Sequence, residues 1–158
     1  MGVEEVERIK KLLAGSEFQC FEHEPVRTSE DAARVRSSKL SEGVKAIVVK
    51  ERGTNNFFVA DVPADKRVDL KKLAEIIGIK EITMASPEEV LRETGCEVGG
   101  VPPLGHKNKL PIFVDNGVLE NEYNEFNAGL TTTSIRVKSI ELKKAFEKIG
   151  AKVVEIAK

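Results

Sequence analysis

Two apolar runs separated by a tight turn do most to limit how this chain can fold. Val44 to Lys50 and Phe57 to Val62 are rich in β-branched and aromatic residues, and Gly53, Asn55 and Asn56 lie between them. That pattern predicts a β-hairpin, so at least part of the sheet is antiparallel. Helical segments follow it directly. Asp69 precedes Leu70, Leu73, Ala74 and Ile77, which recur at i, i+3, i+4 and i+7, and Gly78 closes the run. Ser86-Pro87-Glu88-Glu89 is a strong helix start, with an N-cap serine, proline in the first turn and a capping-box acid. That helix is expected to end at Thr94-Gly95.

Upstream, residues 3–14 predict an amphipathic helix on Val6, Ile9 and Leu13, and Phe18 to Glu22 a short strand. Thr28 is expected to cap a helix, with Asp31 as its capping-box acid. Downstream, strands are expected at Pro111 to Asp115, Glu122 to Asn127, Thr133 to Val137 and Val153 to Ile156. Ser139 is expected to cap a last helix carrying Leu142, Phe146 and Ile149. Hairpins mixed with helical crossovers predict an α/β (α+β) single domain. Its core is a mixed, largely antiparallel sheet or partial barrel surrounded by helices.

With 158 residues the chain is long enough for a full core, and 41% hydrophobic content supports one without staples. No apolar run approaches the roughly 20 residues of a membrane span, and the first 13 residues lack the apolar block of a secretory signal. A soluble, cytoplasmic protein is expected. Two cysteines, Cys20 and Cys96, make no disulfide framework. A net charge of −1 argues against coating a polyanion but permits grip on the end of one.

Three stretches carry candidate chemistry. Thr94 to Gly105 holds Gly95, Gly99, Gly100, Gly105, Pro102 and Pro103. Gly99-Gly100 reads either as a plain turn or as backbone that approaches a ligand closely, its N–H groups facing a developing oxyanion. Lys45 opens an apolar strand and reads either as a solvated strand end or as an ammonium directed into a cleft. Asn127 and Thr131 to Ser134 read as hydrogen-bonding groups for a sugar or amino group, or as ordinary strand formers. His106, Lys107 and Lys109 form a local basic patch, functional or merely solvated. His23 and His106 have no metal-ligand spacing, and neither His-Glu-x-x-His nor Gly-x-Ser-x-Gly occurs. No metal site is expected from these spacings.

Together these segments resemble the YbaK/ProX family of aminoacyl-tRNA deacylases, which is related to the editing domain of bacterial prolyl-tRNA synthetases. The resemblance runs through Phe21-Glu22-His23-Glu24-Pro25, Thr28 to Ala33, Val44-Lys45-Ala46 and Pro63 to Asp69. It continues through Ala85 to Val90, Gly99-Gly100-Val101-Pro102-Pro103 and Asn127-Ala128-Gly129. It implies one editing domain over residues 1–158 that hydrolyses the ester of a mischarged tRNA in trans, with tRNA-Pro as the implied tRNA. Lys45, Gly99 and Gly100 take the catalytic positions. Phe21, His23, Thr28, Val101, Pro102, Asn127 and Thr131 take the substrate-binding ones. The resemblance implies no metal or organic cofactor, and the implied partners are the acceptor end of tRNA and an aminoacyl-tRNA synthetase. Members often carry Tyr at the position of Phe21 and Ser at that of Pro102, and alanine-specific members often carry Asn at that of Ala46. The alternative is a non-catalytic binding module for aminoacyl-tRNA 3′ ends or nucleotides.

Overall fold

In the computed structural model, which describes residues 2–26 and 28–158, the chain forms two sheets and five α-helices. The elements run α1 (Val3–Leu12), β1 (Phe18–Glu22), α2 (Ser29–Arg36), β2 (Val44–Glu51), β3 (Phe57–Pro63), α3 (Leu70–Ile77), β4 (Ile82–Met84) and α4 (Pro87–Thr94). They continue with β5 (Ile112–Asp115), β6 (Tyr123–Asn127), β7 (Thr133–Lys138), α5 (Ser139–Lys148) and β8 (Lys152–Val154). Short 3-10 turns span Leu40–Glu42 and Asn116–Glu120.

The expected hairpin is β2–β3, paired antiparallel from Val44 opposite Pro63 to Lys50 opposite Phe57. It forms the middle of a five-stranded sheet ordered β4-β2-β3-β5-β8, in which β3–β5 and β5–β8 are parallel. The smaller sheet, β1-β7-β6, is wholly antiparallel. A β-bridge between Gly43 and Glu125 links the two sheets, which also pack against each other through a shared apolar core. The arrangement is therefore mixed and largely antiparallel as expected, and it stays open as two sheets without closing into a barrel.

Side chains alternate across the large sheet as a strand requires. Val59 faces a core shared with Ile9 and Leu13, Leu142 and Phe146 of α5, and Phe126 and Ile135 of the small sheet. Ala60 and Val62 face the other side, against Leu73 and Ala74 of α3. A third cluster, Val48, Phe57, Val90, Cys96 and Val101, pins α4 and the glycine loop to β2.

The local signals worked where predicted. Thr28 Oγ1 accepts from Asp31 N–H at 3.0 Å, and Asp69 caps α3 through Lys72 N–H at 3.1 Å. Ser86 and Glu89 make the reciprocal capping box at 3.2 and 2.9 Å. Gly78 and Gly95 end their helices at positive φ (87° and 78°). One cap is displaced. Lys138 occupies the N-cap of α5, while Ser139 lies inside the helix with its Oγ accepting from Asn124 Nδ2 at 2.8 Å. A tertiary bond has taken the hydroxyl that the sequence assigned to capping.

Candidate active site

A cleft of about 280 Å³ lies between α2, the edge of β2, the start of α4 and the glycine loop. Its walls bring together Lys45, Gly99, Thr28, Val101 and Asn127, five of the ten residues that the sequence singled out. Much of the rest is apolar: Val26, Ala32, Ala46, Ile47, Ala64, Met84, Val90 and Val98.

Lys45 is the second residue of β2 and half-buried. Burial holds its pKa below that of an ordinary lysine. The nearby Arg67 guanidinium acts in the same direction, while Glu30 and Asp65 oppose both. Among the described residues Lys45 forms no ion pair. A partly desolvated ammonium with no described carboxylate at ion-pair distance is suited to an anionic or carbonyl oxygen brought by a ligand.

The glycine loop is held by its backbone. Gly99 sits at φ +92°, a conformation that side chains rarely adopt. Its carbonyl accepts from Asn127 Nδ2 at 2.5 Å. Gly100 N–H donates to Glu97 O, and Gly100 O accepts from Gly129 N–H, both at 2.9 Å. Gly100 is buried and does not line the cleft. The amide that the sequence offered to an oxyanion at Gly100 is thus committed to a turn.

Asn127 belongs to a wider network. Its Oδ1 accepts from Arg36 Nη2 at 2.9 Å and lies 3.3 Å from Ser134 Oγ. Arg36 Nε donates to the same Ser134 Oγ at 2.9 Å. His23 joins through Nε2, 2.7 Å from Ser134 Oγ, while its Nδ1 donates to Glu24 O at 2.7 Å. The Arg36 side chain is only 5% exposed, and its nearest carboxylate is Glu125 Oε2 at 3.9 Å. Burial lowers its pKa to about 10, with Glu125 opposing the shift. Sequence reasoning missed Arg36. One arginine at the end of a short helix looks like a solvated residue, and only the packing of α2 against the small sheet turns it inward.

The remaining predicted residues lie outside the cleft wall. Phe21 stacks at a tilt beside His23, ring centroids 5.9 Å apart. Thr131 lies behind Gly99, its Cγ2 3.6 Å from where a Cβ there would sit. Pro102 is buried, and its carbonyl accepts from His106 Nε2 at 2.7 Å. His106 is itself buried, and its pKa falls to about 4, mainly through burial. It is neutral near pH 7, so the basic patch reduces to Lys107 and Lys109. Neither cysteine lines the cleft. Cys20 is exposed, and burial raises the Cys96 thiol to about 12, which disfavours the thiolate a nucleophile needs.

The aminoacyl-tRNA editing domain family matches residues 23–145, a span containing every residue of the cleft wall. The chain belongs to this family. Among relatives of the editing domain, the multifunctional Ser/Thr-tRNA deacylase ProXp-y of Escherichia coli (strain K12) is 36% identical over 141 residues. That alignment spans 85% of this chain and 84% of the relative. A proline–tRNA ligase of Thermosipho africanus is 31% identical over 115 residues, 66% of this chain but only 20% of that enzyme. A crystal structure of a hypothetical protein superposes with a TM-score of 0.85 at 28% identity, covering 98% of this chain and all of the other. A structure described as a candidate trans-editing enzyme for prolyl-tRNA synthetase gives 0.81 at 25% identity, with 98% and 97% covered. Among the described residues no helix is long and apolar enough to cross a membrane.

Proposed function

We propose that this editing domain hydrolyses, in trans, the ester that joins a small, wrongly attached amino acid to the 3′-terminal ribose of a tRNA. The observation that carries this reading is Lys45, an ammonium without an ion pair among the described residues, lining a largely apolar cleft together with the backbone-fixed Gly99. Water adds to the ester carbonyl carbon, and negative charge develops on the carbonyl oxygen. The bond to the ribose oxygen then breaks, that oxygen takes a proton, and free amino acid and intact tRNA leave. Lys45 holds the terminal phosphate or the ester oxygen. The Gly99 segment, anchored by Asn127, shapes the wall beside the reacting atoms. An activated ester needs its water and carbonyl held in place more than it needs a strong base.

The modest volume of the cleft favours small amino acids, and the similarity to a Ser/Thr-tRNA deacylase supports serine and threonine. The similarity to proline–tRNA ligases supports tRNA-Pro as one of its tRNAs. The test is a panel of tRNAs charged with Ser, Thr, Ala and Pro, hydrolysed by wild type and by Lys45→Ala. Wild type is expected to release Ser or Thr faster than buffer does, with Lys45→Ala slower by about 10²-fold, the scale of losing one transition-state partner. Binding of charged tRNA with no hydrolysis on any member of the panel would favour a non-catalytic module.

A further inference from the structure

Among the described residues, strand β2 is bonded to β3 along one side, and its other side is covered only near its ends. Gly43 bridges to Glu125 at one end, and Val49 to Glu51 pair with β4 at the other. Between them Val44 to Val48 line the cleft as five consecutive residues, so the cleft runs along an open strand edge.

Which backbone groups face that edge follows from the pairing. In an antiparallel pair alternate residues exchange both bonds with the partner, and those between turn N–H and C=O outward. Ala64 N–H donates to Gly43 O at 2.8 Å and Glu51 N–H to Asn56 O at 3.0 Å, so the odd-numbered residues of β2 face β3. Ala85 N–H donates to Val48 O at 3.1 Å, which places the even-numbered residues on the opposite side. Pro63, which has no N–H to offer, sits opposite Val44, a position where none is needed. Ala46 therefore presents both its N–H and its C=O to the cleft, one residue from Lys45. Open strand edges are templates for further pairing.

We propose that the main chain of Ala46 is the subsite for the aminoacyl group, which adds to β2 as a one-residue antiparallel strand. The Ala46 carbonyl accepts from the substrate's α-ammonium, and the Ala46 N–H donates to the ester carbonyl oxygen. This proposal rests on the deacylase reading and goes further. It gives the site an oxyanion donor that the committed Gly100 amide does not supply, fixed in position by the β2–β3 ladder. It also makes recognition of the α-amino acid independent of its side chain, leaving the side chain to the apolar wall.

Ala46→Pro is the direct test. It removes an N–H that the β2–β3 ladder does not use, so the fold is expected to survive. With the melting temperature nearly unchanged, kcat/KM on charged tRNA is expected to fall by about 10²–10³-fold, the scale for one oxyanion donor. Wild type is also expected to discriminate strongly against a deaminated acyl-tRNA. A folded Ala46→Pro within threefold of wild type, or equal wild-type rates on aminoacyl and deaminated esters, would overturn the proposal while leaving the deacylase reading intact. Should Ala46→Pro fail to fold, lactic acid incorporated at position 46 replaces the N–H with oxygen and decides the matter by the same criterion. Binding of an amide-linked 3′-aminoacyl adenosine supplies a readout without turnover. A shift of the Ala46 amide resonance supports the subsite, and saturation without such a shift removes it. Wild type inactive on every ester would instead sink the deacylase reading itself.

Discussion

Two buried ionisable side chains show how differently the protein treats polar groups. Asp61 on β3 is fully buried, and neither carboxylate oxygen has a hydrogen-bond partner among the described residues. Burial raises its pKa well above the ordinary 3.8. Between those two values the folded chain keeps a proton that the unfolded chain has released, so Asp61 lowers stability progressively as pH rises through that window. Asp61→Val is expected to raise the melting temperature at pH 8, with the gain shrinking as pH approaches 4. A pH-independent effect would mean that the carboxyl does not titrate as its burial requires. Arg36 is the opposite case, since three polar side chains surround it. Arg36→Ala leaves Glu125 with Arg136 as its remaining partner and leaves Asn127 Oδ1 with only the longer contact to Ser134 Oγ. A loss of about 2 kcal/mol is expected in denaturant titration, the scale of leaving a buried polar group unpaired. A fall in deacylation is expected with it, because Asn127 tethers the Gly99 carbonyl.

At the scale of elements, the glycine loop shows why two adjacent glycines serve different ends. A Cβ on Gly99 would meet only Thr131 at 3.6 Å, so Gly99 is needed for its positive φ. A Cβ on Gly100 would sit 3.2 Å from Gly129 O, so Gly100 is needed for close approach to the β6–β7 connection. Gly100→Ala is expected to push the loop off that connection and lower stability by about 1–3 kcal/mol, as overpacking does. On a chain of this size that is a drop of several degrees in the melting temperature. An unchanged melting temperature would show that the loop gives way freely. The same contrast explains what could be read in advance. Caps and glycine stops act within a few residues, so α3 and α4 were legible, as was the β2–β3 hairpin. Strand β4 was not, because Ile82–Met84 is too short to show a period and exists by pairing with Val49 to Glu51. Ser139 went astray because Asn124, distant in sequence, claimed its hydroxyl. In the site, Lys45, Gly99 and Asn127 could be singled out as unusual in their local setting. Arg36 and the outward-facing amide of Ala46 could not, since each owes its role to packing and pairing between segments.

For the whole molecule the deciding quantity is charge. Twenty-five basic and 26 acidic residues leave a formal charge of −1, so the surface as a whole does not attract a tRNA. Near the cleft, Lys45 and Arg67 are close enough to depress the Lys45 pKa, while Glu30 and Asp65 oppose them. Such a balance accommodates a few phosphates at the acceptor end but not a long stretch of backbone. Each phosphate neutralised on a single strand contributes about −0.7 to the slope of log K against log salt, so three contacts give a slope of about −2. The Kd of charged tRNA, measured from 50 to 300 mM salt, is expected to follow that shallow line. A truncated acceptor-stem mimic is expected to follow the same line, because the rest of the tRNA makes no charged contact. A slope steeper than about −5 for full-length tRNA, relaxed in the mimic, would instead place much of the tRNA body on this protein and move recognition away from the cleft.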